Sequence, residues 1–293
     1  MSKTILSLLD QGSETLKDAG VEQPRNEALL LLGHCLEKSR TELFLGGSEL
    51  VSEQVCRHYF DFVARRASRE PFAYITGRRE FWSLDFGVCP SVLIPRPETE
   101  FLLEKLLAET RGSDIGSGLV LDLCCGSGVI AVVLARELGV NVIASDCSPA
   151  ALTIARQNSV NHLGRGKVEL VCGDLLDFML PREQFSLIVS NPPYVKSSEV
   201  DFELQPEVAE YEPRLALDGG ADGLDLIKMI CAQLPQMLQP QGHFFMEIGA
   251  DQGSAVSDLL MECRINGEKQ FDLVRIYRDY SGRERVAHAV KIS

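Results

Sequence analysis

The sequence predicts an α/β protein in which a doubly wound, largely parallel sheet follows a small helical domain. Three observations lead to this prediction. Strand-like apolar runs alternate with helical stretches from about residue 119 to residue 262. The first 70 residues place apolar side chains at helical spacing, and the chain ends in two strand-like runs joined by a short turn.

The first 71 residues are predicted to form a helical bundle. Apolar residues recur at helical spacing in three segments separated by polar breaks, the first of them running from Ile5 to Leu16. Pro24 suits the first turn of the second helix, and Ser52 is a suitable N-cap for the segment EQVCRHYFDFVARR. This region therefore has the pattern of a separate small domain.

Residues 72–92 are predicted to form a β-hairpin that links the two domains. The runs FAYIT and EFWSLDFGV are short, rich in aromatic and β-branched residues, and broken by Gly77 and Gly87. The main domain would then comprise residues 93–293.

The main domain alternates strands and helices in the order typical of βαβ units. We predict strands at GLVLDLCC, NVIASD, VELVCGD, FSLIVSN and HFFMEIG, with helices at VIAVVLAREL and PAALTIARQNSVNH among the segments between them. Such alternation predicts a parallel sheet covered by helices on both faces. The final runs FDLVRIYRDY and RVAHAVKI, joined by SGRE, predict an antiparallel pair at the sheet edge.

Composition narrows the classes of partner. The 293 residues are 45% hydrophobic and carry a formal net charge of −13, which argues against non-specific binding to nucleic acid. No apolar run reaches the length of a membrane span, and the start MSKTILSLLDQGSE is too polar for a signal peptide, so we expect a soluble cytoplasmic protein. The nine cysteines lack a C-x-x-C pair and the five histidines lack metal-like spacing, so we expect free thiols and no metal.

A glycine loop follows the first strand of the main domain. LVLDL leads into CCGSG and then into a helix, an arrangement in which Gly126 and Gly128 allow a nucleotide-like cofactor to approach the backbone. Ala131 occupies the third position of a G-x-G-x-x-G pattern, which some dinucleotide sites tolerate. The loop alone therefore leaves the type of cofactor open.

Three carboxylates end three successive predicted strands: Asp122, Asp146 and Asp174. Ligands of open parallel sheets bind beyond the carboxyl ends of the strands, so these side chains should meet in one crevice. Asp146 is placed to accept hydrogen bonds from ribose hydroxyls, and Asp174 lies within reach of an adenine edge.

The fourth predicted strand ends in the stiff segment Asn191, Pro192, Pro193 and Tyr194. A residue before proline is extended, and prolines cannot donate an N–H, so carbonyl groups here are free to face a ligand. The Asn191 side-chain oxygen and the Pro192 carbonyl suit a substrate with a planar NH₂ group, on which Tyr194 could stack. The matching electrophile is the methyl group of S-adenosylmethionine, whose positive charge suits an acidic crevice.

These motifs carry a resemblance to a known family. NPPY after such a loop resembles amino-group methyltransferases, which include DNA adenine enzymes and protein glutamine enzymes. LIPRPETE at 93–100, YEPRLALDGGADGLD at 211–225 and MEIGADQG at 246–253 resemble the protein (glutamine-N5) methyltransferases that modify class 1 peptide chain release factors. A related glutamine methyltransferase of a ribosomal protein shares NPPY and stays an alternative, as do a DNA adenine enzyme and a non-catalytic cofactor-binding interaction module.

The resemblance implies a Rossmann-like class I S-adenosylmethionine-dependent methyltransferase with a mixed seven-stranded sheet and a small helical N-terminal domain that docks the substrate. It implies that S-adenosylmethionine is bound by Asp122, Cys124, Gly126, Gly128, Asp146, Asp174 and Asn191. The glutamine of a release factor's Gly-Gly-Gln tip would be bound by Arg96, Glu98, Asn191, Pro192, Pro193 and Tyr194, with Asn191, Pro192 and Tyr194 acting in catalysis. No direct nucleic acid or membrane partner is implied.

One departure from the family pattern concerns the loop. The family commonly has D-x-G-T-G-S-G, whereas this chain has Cys124 and Cys125 before Gly126. Cysteine adopts positive φ less readily than glycine, so we expect the loop to be retained with slightly altered cofactor affinity.

Overall fold

A computed structural model of the chain describes residues 3–177 and 179–292. The described residues form two compact units. The first comprises the residues through Arg78 together with Gln205–Tyr211, and the second comprises Arg79–Leu204 and the residues from Glu212 onward. The predicted division at residues 71 and 92 stays a prediction.

The first unit is a helical bundle, as its apolar spacing indicates. Its elements before Arg78 are β1 (Lys3–Thr4), α1 (Ile5–Asp18), α2 (Pro24–Leu36), α3 (Arg40–Leu45), β2 (Leu50–Val51), α4 (Glu53–Ala67) and α5 (Phe72–Thr76). Pro24 begins α2, and the Ser52 hydroxyl accepts a hydrogen bond from the Val55 N–H at the start of α4, as predicted. Leu8, Leu31 and Tyr59 are fully buried in the core of this unit.

The strand expected at FAYIT was wrong. Phe72–Thr76 is the short helix α5, which begins after Pro71 and ends at Gly77, whose φ is +72°. Five residues are too few to display a period of two or of 3.6, so the sequence pattern does not distinguish a single helical turn from a short strand. The hairpin itself is present as β3 (Arg78–Phe81) and β4 (Leu84–Gly87).

The remaining elements follow the predicted alternation. They are α6 (Pro97–Glu109), β5 (Leu119–Leu123), α7 (Val129–Glu137), β6 (Val142–Asp146), α8 (Pro149–Leu163), β7 (Val168–Cys172), β8 (Phe185–Ser190), α9 (Ser197–Phe202), α10 (Pro206–Ala209), α11 (Asp225–Gln233), β9 (Leu238–Glu247), α12 (Gly253–Met261), β10 (Arg264–Ile265), β11 (Glu268–Lys269), β12 (Phe271–Arg278) and β13 (Glu284–Lys291). Short 3₁₀ turns occupy Ile115–Ser117, Arg214–Ala216 and Leu234–Gln236.

Seven strands form one mixed sheet in the order β12-β13-β9-β8-β5-β6-β7. The five strands from β9 to β7 are parallel, and β13 is antiparallel to both β9 and β12. The predicted antiparallel terminal pair is therefore confirmed. Chain order runs outward from β5 in one direction through β7 and then resumes at β8 on the other side of β5, which creates a crevice at their carboxyl ends.

Apolar cores lie on both faces of the sheet. One contains side chains of α6, α7 and α8, and the other contains side chains of α11 and α12. β8 is buried at every position, and its two serines, Ser186 and Ser190, donate their hydroxyl hydrogens to backbone carbonyls of neighbouring segments. Among the described helices, none is both long enough and apolar enough to cross a membrane.

Candidate active site

A pocket opens at the carboxyl edge of β5, β6, β7 and β8, within the second unit. Six of the predicted site residues lie on its wall: Cys124, Gly126, Asp146, Asp174, Asn191 and Pro193. Further wall residues come from α6 and the segment before it, the start of α7, the turn after Glu212 and the start of α11. They include Ser91, Val92, Pro95, Thr99, Ile130, Pro213, Leu215 and Leu226. Residues that are distant in sequence thus meet where the topology predicts a ligand site.

Asp146 holds the glycine loop in place. Its Oδ2 accepts a hydrogen bond from the Gly126 N–H at 2.9 Å, and its Oδ1 accepts one from the Ser148 N–H at 2.8 Å. The Cys125 N–H donates to the Ser145 carbonyl at 2.9 Å, which fixes the same loop to β6. One carboxylate therefore joins the loop after β5 to the turn after β6.

Gly128 lies behind the loop. Its φ is +78°, and a Cβ at this position would come within 3.0 Å of the Ala155 Cβ on α8. Gly128 therefore permits α7 and α8 to pack closely, and it does not line the pocket. A direct cofactor contact for Gly128 stays a prediction.

Cys124 occupies the position where the related loop has glycine. Its φ is +62°, in the left-handed region, so the loop conformation is retained despite the side chain. Burial raises the pKa of the Cys124 thiol well above its usual value, and the nearby Asp146 carboxylate raises it further. The thiol is therefore neutral at physiological pH and is not a nucleophile.

Asp122 is fully buried below the pocket and does not line it. Its Oδ2 accepts a hydrogen bond from the Ala131 N–H at 2.9 Å, while no described group donates a hydrogen bond to Oδ1. Burial, with a smaller effect of Asp146, raises the pKa of Asp122 to about 8. In the structure Asp122 accepts a hydrogen bond from the first turn of α7, and its contact with a cofactor stays a prediction.

Asn191 follows the last residue of β8 and is half-buried at the pocket wall. Its Nδ2 donates to the Thr99 Oγ1 at 3.1 Å, and the Thr99 hydroxyl donates to Glu247 Oε2 at 2.7 Å. The other Glu247 oxygen, Oε1, accepts from the Tyr194 hydroxyl at 2.9 Å. Four side chains are therefore connected from the pocket wall to a buried carboxyl.

Burial raises the pKa of Glu247 above its usual value, although the hydrogen bonds from Thr99 and Tyr194 oppose this. Burial also raises the pKa of Tyr194, and the Glu247 carboxylate adds to that increase. Tyr194 therefore remains a neutral hydroxyl donor. Neither Tyr194 nor the buried Pro192 lines the pocket, so stacking of Tyr194 on a substrate stays a prediction.

The backbone of the NPPY segment is held from outside the pocket. The Gln252 Nε2 donates to the carbonyls of Tyr194 and Gly223, at 2.9 and 3.1 Å. A Cβ on Gly219 would come within 2.8 Å of the Pro193 carbonyl oxygen, so the DGGADG turn packs directly against the segment. The prolines restrict the segment, and this packing fixes its place.

Two charged residues of PRPETE, Arg96 and Glu98, which were predicted to bind substrate, contact the protein itself. The Arg96 guanidinium pairs with Glu212, whose side chain is buried and whose Oε2 also accepts from the Ile94 N–H at 3.0 Å. Glu98 lies 3.9 Å from Arg285, measured from Oε1 to the nearest guanidinium nitrogen. Neither residue lines the pocket, and their substrate contacts stay predictions.

Sequence reasoning missed four residues that organise the site: Thr99, Glu212, Glu247 and Gln252. Each lies in a segment that was singled out, namely PRPETE, YEPR and MEIGADQG, but no role was assigned to it. A polar residue inside an apolar strand, such as Glu247 at the end of HFFME, is the signal that could have identified it. Among described residues, no group of three or more His, Cys, Asp or Glu side chains could hold a metal ion.

Comparisons with known proteins show the family of the chain. A family model described as the PrmC N-terminal domain matches residues 7–77, and one described as a methyltransferase small domain matches residues 97–221. A release factor glutamine methyltransferase of Geobacter sulfurreducens is 41% identical over 254 residues, covering 86% of this chain and 87% of that protein. One of Caulobacter vibrioides is 38% identical over 99% of this chain and 98% of that protein.

The chain belongs to the release factor glutamine methyltransferase family. Membership makes it a methyltransferase and confirms the predicted Rossmann-like class I fold with a helical N-terminal region. Among solved structures, the catalytic domain of hMettl16 in complex with the MAT2A 3'UTR hairpin 6 superposes with a TM-score of 0.54, covering 84% of each chain at 12% identity. At that identity the superposition supports the fold alone.

Proposed function

We propose that this protein transfers a methyl group from S-adenosylmethionine to the side-chain amide nitrogen of the glutamine in the Gly-Gly-Gln motif of class 1 peptide chain release factors. One observation carries the proposal. Asn191 lies on the pocket wall with its NH₂ group bonded to Thr99, while no described residue donates to its Oδ1. The pocket therefore offers a carbonyl acceptor beside the glycine loop.

Such an acceptor suits a carboxamide. The nitrogen of a primary amide is a poor nucleophile because its lone pair is delocalised into the carbonyl. Asn191 Oδ1 on the pocket wall would bind one hydrogen, and the carbonyl of Pro192, which follows Asn191 but does not line the pocket, is proposed as the acceptor of the second. Together they would direct the lone pair across the pocket. A hydroxyl or a carboxylate at the same place lacks the two hydrogens that these acceptors require.

The loop side of the pocket fits S-adenosylmethionine. Apart from its two chain neighbours, no described residue has a heavy atom within 4 Å of the position that a Gly126 Cβ would occupy, so this backbone is open to a close ligand. The Asp146 and Asp174 side chains make the wall acidic, which suits ribose hydroxyls and a positively charged ligand. When bound there, S-adenosylmethionine would supply an electrophilic methyl group.

Catalysis on this proposal is mainly positioning. Asn191 and Pro192 orient the amide nitrogen, and the loop residues orient the other reactant, an effect that can contribute roughly 7 to 11 kcal/mol. No strong base is needed, because the nitrogen becomes acidic once it carries the methyl group and its proton can then leave to solvent. Glycines beside the target glutamine would let the substrate backbone adopt conformations that enter a narrow pocket.

The helical unit is proposed to dock the release factor, and an exposed apolar surface supports this. Leu6, Phe44, Leu45 and Leu50 are 51 to 85% exposed. They adjoin one another, since the Leu6 N–H donates to the Gly47 carbonyl and Leu50 pairs with the residue before α1. An isolated large apolar side chain is common on surfaces, whereas four together mark an interaction surface.

The docking proposal is tested with Phe44→Ser combined with Leu45→Ser. We expect a higher KM for the release factor, an unchanged kcat at saturation, and unchanged affinity for S-adenosylmethionine. The matched control is Leu180→Ser, an 85% exposed leucine in the other unit, which should leave KM unchanged. An unchanged KM in the double variant would exclude this surface.

The substrate itself is tested by radiolabelled methyl transfer to three candidates in parallel: a class 1 release factor, duplex DNA and ribosomal protein. We expect label in the release factor alone, located on the Gly-Gly-Gln glutamine after digestion. A release factor with that glutamine replaced should not be labelled. Label in DNA or in ribosomal protein instead would contradict the proposal and favour one of the alternative amino-group substrates.

A further inference from the structure

The side chains behind Asn191 form a hydrogen-bonded chain with a direction. Glu247 receives hydroxyl groups on both of its carboxyl oxygens, from Thr99 at 2.7 Å and from Tyr194 at 2.9 Å. Burial raises the pKa of Glu247, while the two hydroxyl donors and the Arg285 charge act against burial and favour its ionised form. In that form Glu247 can only accept, so each hydroxyl points its single hydrogen toward it. The Thr99 Oγ1 has used its single hydrogen on Glu247, so it can only accept a hydrogen bond from Asn191.

The direction of this chain decides which end of the Asn191 amide faces the pocket. Because Thr99 can only accept at that point, the group facing it must be the Asn191 NH₂, as the 3.1 Å contact from Nδ2 to Oγ1 shows. The Asn191 Oδ1 is left on the pocket side. If Asn191 were turned over, two acceptors would face each other at Thr99 and the pocket would present a donor.

We propose that Thr99 and Glu247 are positioning residues that fix the Asn191 amide with its oxygen toward the substrate, and so select a glutamine carboxamide over a glutamate carboxylate. This inference rests on the proposed function. Thr99 itself reaches the pocket wall, while Glu247 is 1% exposed and acts only through Thr99 and Tyr194.

Thr99→Val tests the inference because it keeps the shape of the side chain and removes the hydroxyl. The Asn191 amide is then free to turn over, and we expect kcat for the release factor to fall about tenfold. Affinity for S-adenosylmethionine, measured by calorimetry, should change little. Thr99→Ser restores the hydroxyl and should recover most of the lost kcat.

The matched control is Thr110→Val at the other end of the same helix. Thr110 is also buried, and its hydroxyl donates to the Leu106 carbonyl at 2.7 Å, away from the pocket. This variant loses a buried hydroxyl without touching the chain of bonds to Asn191. Its kcat should match that of the unaltered enzyme.

A second measurement separates positioning from a purely structural role. A release factor with glutamate in place of the target glutamine is used as a competitive inhibitor, and its Ki is compared with the KM of the normal factor. The unaltered enzyme should reject the glutamate form, because two acceptors face a carboxylate. Thr99→Val should bind it about tenfold better relative to the glutamine form, since Asn191 can now offer its NH₂.

Reduced kcat together with reduced discrimination supports the inference, whereas unchanged kcat, or reduced kcat with unchanged discrimination, overturns it. If Thr99→Val does not accumulate as folded protein, Thr99→Ala replaces it, because the smaller side chain leaves room for water at Glu247. Failure of the unaltered enzyme to methylate the release factor would overturn the proposed function. That outcome depends only on the unaltered enzyme, so it can be distinguished from a failure of the inference about Thr99.

Discussion

Some side chains at the pocket wall that are proposed to bind a ligand also accept hydrogen bonds from the backbone of neighbouring loops. Asp146 is the clearest example, because its two oxygens receive the N–H groups of Gly126 and Ser148. The same carboxylate is the one proposed to accept from ribose hydroxyls. Loss of this side chain should therefore disturb both the loop and the bound cofactor.

For Asp146→Ala we predict weaker binding of S-adenosylmethionine, by at least about tenfold, with the fold intact. Isothermal titration measures the affinity, and a thermal unfolding curve checks the fold. Asp272→Ala serves as the control, since it removes one negative charge from an exposed position on an edge strand. Unchanged affinity in Asp146→Ala would remove this residue from the site.

Cys124 carries backbone strain that glycine would relieve. At φ of +62° a non-glycine residue costs on the order of 1 kcal/mol, which is offset by the conformational entropy that glycine loses on folding. For Cys124→Gly we therefore predict small changes, both in the unfolding temperature and in affinity for S-adenosylmethionine. A large affinity change in either direction, measured by titration calorimetry, would contradict this.

The neighbouring cysteine provides the comparison. Cys125 is buried, is not among the residues with positive φ, and bonds Ser145 through its N–H. Cys125→Gly gains no relief of strain and loses a packed side chain, so it should lower the unfolding temperature more than Cys124→Gly does. The opposite order would mean that backbone strain does not decide the stability of this loop.

At the scale of elements, the strand ends were predictable and the contacts between distant segments were not. Asp146 and Asn191 could be placed because each follows an apolar run, which is a local pattern. The bond from Thr99 to Glu247 joins residues 148 positions apart, and the pair of Arg96 and Glu212 joins residues 116 apart. Such pairs follow from packing, which a single sequence does not reveal.

The short segment Phe72–Thr76 is a second case in which the local sequence pattern did not determine the structure. Its composition suits a strand, yet it forms a short helix, because tertiary context outweighs weak local preference. Asp122 was placed correctly within its strand but lies below the pocket and bonds the Ala131 N–H instead of lining the wall. Sequence pattern locates a strand end, whereas the depth of each side chain requires the structure.

In the helical unit, α4 and α10 are joined by a charged cluster that we predict to be important for stability. Arg66 is 8% exposed and pairs with Glu27 at 2.9 Å and with Glu207 at 3.0 Å. Arg66→Met leaves two carboxylates without this partner and should lower the free energy of unfolding by roughly 3 kcal/mol. Arg25→Met, at an exposed pair with Asp10, should cost less than about 1 kcal/mol in the same denaturant titration.

The same cluster predicts a pH dependence. Burial alone would raise the pKa of Glu207, but hydrogen bonds from Arg69 and Arg66 lower it below the usual 4.5. A carboxyl with a lowered folded-state pKa contributes stability above its unfolded-state pKa and loses it as the pH falls through the folded value. Stability should therefore decline below about pH 4.5, and less steeply in Arg66→Met. Equal slopes in both proteins would contradict this.

For the whole molecule, the chain path links the two units. The polypeptide leaves the second unit after Leu204, contributes Gln205–Tyr211 to the helical unit, and returns at Glu212. The buried Glu212 side chain accepts from the Ile94 N–H and pairs with Arg96. These contacts hold the residue at which the chain re-enters the second unit against the segment before α6. Sequence alternation predicted the sheet and its antiparallel edge, but it gave no sign of this exchange of chain.

The proposed methyl transfer depends on the Asn191 side-chain carbonyl as an acceptor for the substrate amide. Turnover by Asn191→Ala tests this role most directly. Methyl transfer to a class 1 release factor is measured at saturating concentrations of both substrates. We predict that kcat falls between about fivefold and a little over a hundredfold, for a loss of about 1 to 3 kcal/mol in the transition state, with an unchanged unfolding curve. Full turnover by Asn191→Ala would contradict the account.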